Sequence, residues 1–134
     1  MVEIQIAYQG KLRCRATHVD SGATLLTDAP KDNMGNGESF SPTDLVATAL
    51  GTCMLTLMGI AAQRMEIDLS GTTVTVTKEM TPAPRRIGRL AVTFRVPLSL
   101  NPEQRQKLEN AAMTCPVHKS LHPDVQIPVS FKWN

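Results

Sequence analysis

The chain has 134 residues, 42% of them hydrophobic and 19% charged, with a formal net charge of +2. That is the size and composition of one globular domain over residues 1–134. Without a basic run, and with Trp133, Tyr8, Phe40, Phe94 and Phe131 as the only aromatics, the chain lacks the phosphate-tracking groove and stacking platform that nucleic-acid binding needs.

The N-terminal stretch carries no charged segment leading into an apolar block, so no signal peptide is expected and the protein reads as cytoplasmic. "VEIQIAYQ", "LRCRATHV" and "ATLLTD" alternate polar and apolar residues, with breaks at Gln9-Gly10 and Ser21-Gly22. They predict a three-stranded meander. Ala29 to Phe40 is rich in Gly and Asn and reads as a loop.

"SPTDLVATALGTCMLTLMGIAAQ" follows, with no charge between Asp44 and Arg64. Ser41 suits the N-cap, Pro42 the first helical position and Asp44 the reciprocal partner of a capping box. The spacing predicts a helix to about Met65. It is long enough to cross a membrane, but Thr48, Gly51, Thr52, Thr56 and Gly59 argue for the central helix of a soluble core, with no membrane partner.

"EIDLSGTTVTVTKEM" and "IGRLAVTFRVPLSL" predict two more strands around a turn at "PAPRR". Asn101-Pro102-Glu103-Gln104 opens a second helix, expected to run to about Thr114. Pro116 breaks it at Cys115, and "PVHKSL" can add one helical segment with Cys115 as its N-cap. "VQIPVSFKW" closes the chain as a strand. The order β-β-β-α-β-β-α-β predicts an α+β fold. One small sheet cannot cover so apolar a helix, so a dimer with a shared core is expected.

Cys14, Cys53 and Cys115 are odd in number and expected to be reduced. Cys53 lies about 18 Å along its helix, beyond the reach of the helix dipole. Burial alone would make it inert, so it reacts only if the fold delivers a cation. A packed core cysteine accounts for it equally well. Cys115, at a helix start with His118 and Lys119 one turn on, reads locally as the more acidic and better exposed thiol. Cys14 alternates with Arg13 and Arg15 along a strand, faces away from both and reads as structural. Cys115, His118 and His122 have spacings that suit soft ligands, but a structural zinc site wants a fourth. No phosphate-binding, dinucleotide, GxSxG or HExxH pattern occurs, so no cofactor or metal is expected.

"SPTDLVATALGTC" and "CPVHKSL", with a closing V-x-I-x-V, resemble the OsmC/Ohr family of osmotically inducible and organic hydroperoxide resistance proteins. The likeness covers the whole chain. The family pattern places eight positions between the Leu of a P-E-x-L turn and its first Cys, as between Leu45 and Cys53. Its second pattern, Cys-Pro-Val-x-Lys-x-Leu, is met by Cys115, Pro116, Val117, Lys119 and Leu121.

The resemblance implies an intertwined homodimer and a thiol peroxidase acting on organic hydroperoxides in oxidative stress defence. Cys53 would attack the peroxide, Cys115 would resolve the sulfenate as a disulfide, and a dithiol, such as a lipoyl group, would restore both. In the family an arginine from the N-terminal strands and the P-E-x-L glutamate pair to hold the thiolate. Arg13 or Arg15 fits the arginine. The glutamate position holds Thr43; Asp44 is rotated from it by about 100°, and Glu38 in the preceding loop is another candidate. That departure leaves a second possibility on the same fold, a ligand- or persulfide-binding protein with little peroxidase activity.

Overall fold

The computed structural model describes residues 1–134 and divides into two compact units, Met1–Val46 and Ala47–Asn134. The first holds strands β1 (Ile4–Gly10), β2 (Arg13–His18) and β3 (Thr24–Asp28), a single 3-10 turn at Lys31–Asn33, and the start of helix α1 (Pro42–Arg64). The second holds the rest of α1, strands β4 (Thr73–Pro82) and β5 (Arg85–Val96), helices α2 (Pro102–Ala112) and α3 (Pro116–Ser120), and strand β6 (Val129–Trp133). The α+β expectation and the predicted element order are both met.

In the first unit the predicted meander forms an antiparallel sheet of order β1-β2-β3. Its register sets Ile6 opposite Ala16, Tyr8 opposite Cys14, and Ala16 opposite Leu25. Because strand side chains alternate faces, one face collects Ile4, Ile6, Tyr8, Ala16 and Leu25 while the other carries Arg13, Arg15 and Asp28. The apolar face is open: Ile6 is 68% exposed and Tyr8 67%.

The start of α1 follows its sequence signals. The Ser41 N–H donates to Asp44 Oδ2 at 2.9 Å and the Asp44 N–H donates to Ser41 Oγ at 3.1 Å, a reciprocal capping box. Further along, in the second unit, Ala47, Leu50, Gly51, Met54, Met58 and Ala62 form the buried stripe of the helix. A side chain at Gly51 would come within 2.8 Å of Val76 Cγ2, so the glycine is what lets α1 lie this close to β4. Ala49, Thr52, Thr56, Ile60 and Gln63 stand exposed on the opposite side. By length and composition α1 could cross a membrane, yet its central residues pack on a sheet of the same unit.

That sheet has the order β4-β5-β6, antiparallel between β4 and β5 and parallel between β5 and β6. A parallel return needs a crossover, which α2 and α3 supply. Val92, Phe94 and Val96 face the core, and the Phe94 and Phe131 rings stack at 4.8 Å. α2 opens with its own capping box, Asn101 with Gln104, and buries Leu108 and Ala112.

Three boundaries differ from expectation. β4 begins at Thr73 and not Glu66, because Glu66 has φ 56°, Asp68 closes a turn by accepting from the Ser70 N–H and hydroxyl, and Gly71 has φ 90°. β5 stops at Val96, before Pro97, while Leu98 and Leu100 pack on the core outside any strand. β6 starts only at Val129. Pro128 offers no N–H to a ladder, and the preceding stretch meets β5 through an isolated bridge, Gln126 with Arg89, and through the Val92 N–H, which donates to the Pro128 carbonyl.

Candidate active site

Two parts of the chain carry the expected chemistry, one in each unit. The first is a pair of thiols in Ala47–Asn134. Cys53 sits beside the buried stripe of α1 and is partly exposed. Pro116 ends helical geometry after α2, so the chain turns at Cys115 and restarts as α3. Cys115 Sγ caps that segment by accepting the His118 N–H at 3.3 Å. The Cys115 and Cys53 side chains are near enough to interact electrostatically, and all three cysteines of the chain are free thiols.

Local sequence misjudged Cys115. It is fully buried, 0% exposed, and not the well-exposed thiol expected from its neighbours. Burial first, and then the neighbouring Cys53, push the Cys115 thiol above its ordinary value. The N–H groups of His118 and Val117 pull it down but are outweighed. Leu108 and Ala112 belong to the same buried cluster.

The second part is a charge cluster in Met1–Val46. The Arg13 guanidinium forms an ion pair with Glu38 and lies 3.7 Å from Asp28 Oδ1 through its Nε. Asp28 is only 2% exposed and accepts the Glu38 N–H at 3.0 Å. Asp28 also donates its own N–H to the Phe40 carbonyl at 3.0 Å, and Ser39 donates its hydroxyl to the Leu26 carbonyl at 3.0 Å. These bonds fix the loop carrying Glu38 against β3.

Of the candidate charges, Arg13 and Glu38 therefore come together. Arg15 shares a face with Arg13 but is exposed and forms no ion pair there. Asp44 Oδ2 and its N–H close the capping box with Ser41. Thr43 sits in the first turn of α1, its hydroxyl 3.3 Å from Ser41 Oγ. Asp28 was missed by sequence reasoning. Its one signal was a carboxylate ending an otherwise uncharged strand, in register with Arg13. No group of three or more His, Cys, Asp or Glu side chains is clustered closely enough to hold a metal.

Comparison with known proteins bears on the family and the fold. A family profile described as OsmC-like protein matches residues 35–130. A crystal structure from Psychrobacter arcticus 273-4, of a protein named for osmotic stress induction and detoxification response, is 46% identical with a TM-score of 0.93, covering 98% of this chain and 96% of that one. The organic hydroperoxide resistance protein OsmC of Legionella pneumophila superposes with TM-score 0.73 at 19% identity, covering 98% and 96%. The organic hydroperoxide resistance protein OhrB of Bacillus subtilis superposes with 0.68 at 19%, covering 98% of each chain. At 19% identity these two speak for the fold alone. No curated protein matches the chain significantly. The matched profile spans well over half of the sequence, both cysteine motifs included, and the chain belongs to the OsmC-like protein family.

Proposed function

We propose that the protein is a cysteine-based hydroperoxide reductase that uses Cys53 and Cys115 as a dithiol. The observation that carries the proposal is that α1 and the α2–α3 break bring these two thiols to the same buried cluster, near enough to interact with each other. The Cys53 thiolate attacks the outer oxygen of ROOH. The O–O bond breaks, ROH leaves after taking a proton, and Cys53 becomes a sulfenic acid. Cys115 attacks that sulfur, water leaves, and a Cys53–Cys115 disulfide remains. An external dithiol reduces it. The cycle starts from reduced thiols, the resting condition of the cytoplasm.

An organic hydroperoxide suits the surroundings of Cys53, whose helix neighbours include Leu50, Met54 and Leu57. The names of the Legionella and Bacillus proteins point to the same substrate class. Arg13, oriented by Glu38 and Asp28, is the cation we assign to the Cys53 thiolate. It is delivered by the N-terminal unit of a second copy. The homodimer this requires is supported by the open apolar face of Ile4, Ile6, Tyr8 and Leu25, a face of a kind that soluble monomers rarely leave uncovered.

Replacing Cys53 with Ser abolishes turnover of cumene hydroperoxide. Replacing Cys115 with Ser permits a single turnover that stalls at the sulfenate. Unchanged turnover in Cys53→Ser contradicts the proposal. The Thr43 departure from the family pattern favours one competitor, a ligand- or persulfide-binding protein. It predicts no catalytic turnover of alkyl peroxides by the wild type, together with persulfide or ligand capture at Cys53.

A further inference from the structure

Resting on the dithiol cycle above, we infer that a reducing thiol opens the Cys53–Cys115 disulfide at the Cys53 sulfur, with Cys115 always the leaving group. Thiol–disulfide exchange proceeds by attack of a thiolate on one sulfur, in line with the bond that breaks. An attacker of Cys115 must approach from the side opposite Cys53. Cys115 is 0% exposed and packs in the cluster that holds Leu108 and Ala112. An attacker of Cys53 approaches from the side opposite Cys115. Cys53 is partly exposed, and its helix neighbours Ala49 and Thr56, four residues before and three after, are exposed as well.

Leaving-group acidity works against this direction, since burial holds the Cys115 thiol up. Access outranks it, because a sulfur that no thiol can reach is not attacked whatever its partner's acidity. The opposition also weakens as the reaction proceeds. Once Cys53 carries a mixed disulfide it is neutral and no longer repels charge on Cys115, whereas the N–H groups of His118 and Val117 remain to hold the departing thiolate.

The step balances as follows. The thiolate RS⁻ forms a bond to Cys53 Sγ, the Cys53–Cys115 bond breaks, and its electron pair leaves on Cys115, which then takes up a proton. A second thiol attacks the external sulfur, releasing RSSR and the Cys53 thiol. Peroxide and reductant thus act at the same atom, in alternate redox states of the cycle.

The test uses full-length protein with Cys14→Ser, which removes the one thiol outside the cycle. The disulfide is formed with diamide, independently of peroxide. A trapping excess of glutathione is added, the reaction is quenched in acid at successive times, free thiols are alkylated and peptides are mapped by mass spectrometry. Glutathione on Cys53 with alkylated Cys115, exceeding the reverse adduct by about tenfold or more, is the expected result. Adducts in equal amounts, or chiefly on Cys115, overturn the inference and leave the dithiol cycle standing. If diamide yields no Cys53–Cys115 disulfide, the cycle fails and the inference with it.

Discussion

In Ala47–Asn134 every buried side chain is apolar, whereas in Met1–Val46 the two buried side chains are Asp28 and Ser41. The larger unit follows the ordinary rule. α1 and the β4-β5-β6 sheet exclude water between them, and the energy lies in Leu50, Met54, Phe94 and Leu108. The smaller unit is held by strand ladders and by the contacts of Asp28 with Arg13 and the Glu38 loop, while its apolar residues stand exposed. One unit builds a core that contains Cys115 and packs Cys53 against it. The other presents the Arg13 charge and an open apolar face.

That contrast can be broken at either end. The largest effect is expected in the core: Phe94→Ala removes a stacked, fully buried ring and should cost about 3–5 kcal/mol of stability by chemical denaturation. Next comes the charge. Arg13→Ala should lower kcat/KM for cumene hydroperoxide about a hundredfold and also weaken the N-terminal unit by removing the cation beside buried Asp28, while Arg15→Ala leaves both nearly unchanged. Equal effects at Arg13 and Arg15 would mean that the clamp of Asp28 and Glu38 has no catalytic consequence. Ile6→Asp should weaken self-association by about 2 kcal/mol per copy, visible as a shift toward monomer in sedimentation. No change in an associating protein would show that this face lies outside the interface.

The smallest effect concerns pH. The Cys115 thiol is raised in the folded state, so folding favours its protonated form. Below the ordinary value of 9.0 this contribution to stability is fully present, and it is lost as pH rises through the raised folded value. Denaturation midpoints should therefore fall with increasing alkalinity in the wild type. The fall should be shallower in Cys115→Ala.

Most of the fold was legible because its signals are local. Ser41-Pro-Thr-Asp44 and Asn101-Pro-Glu-Gln104 each encode a cap that forms as read. The alternation in β1 to β3 set the meander. The boundaries of β4 and β6 were less legible, since alternation continues through residues whose backbone turns away, as at Glu66 and Gly71, or whose nitrogen cannot pair, as at Pro128. The site divides the same way. That Cys115 would cap α3 follows from Pro116. That it would be buried and pushed up depends on α2 and Cys53, which are distant in sequence or reached only through the fold. Local cues therefore missed the burial of Cys115. The Arg13–Glu38 pair was one of several combinations on paper. Asp28, which anchors it, became visible only through the β2–β3 register and the bond to the Glu38 backbone.

The central claim is that Cys53 and Cys115 act as one redox unit on alkyl peroxides. Its most direct test is to reduce the protein, add one equivalent of cumene hydroperoxide or of hydrogen peroxide in separate samples, and follow peroxide loss and the Cys53–Cys115 disulfide together by mass spectrometry. Loss of one peroxide per disulfide formed, faster with the organic peroxide, is the predicted result. Intact free thiols with both peroxides would contradict it.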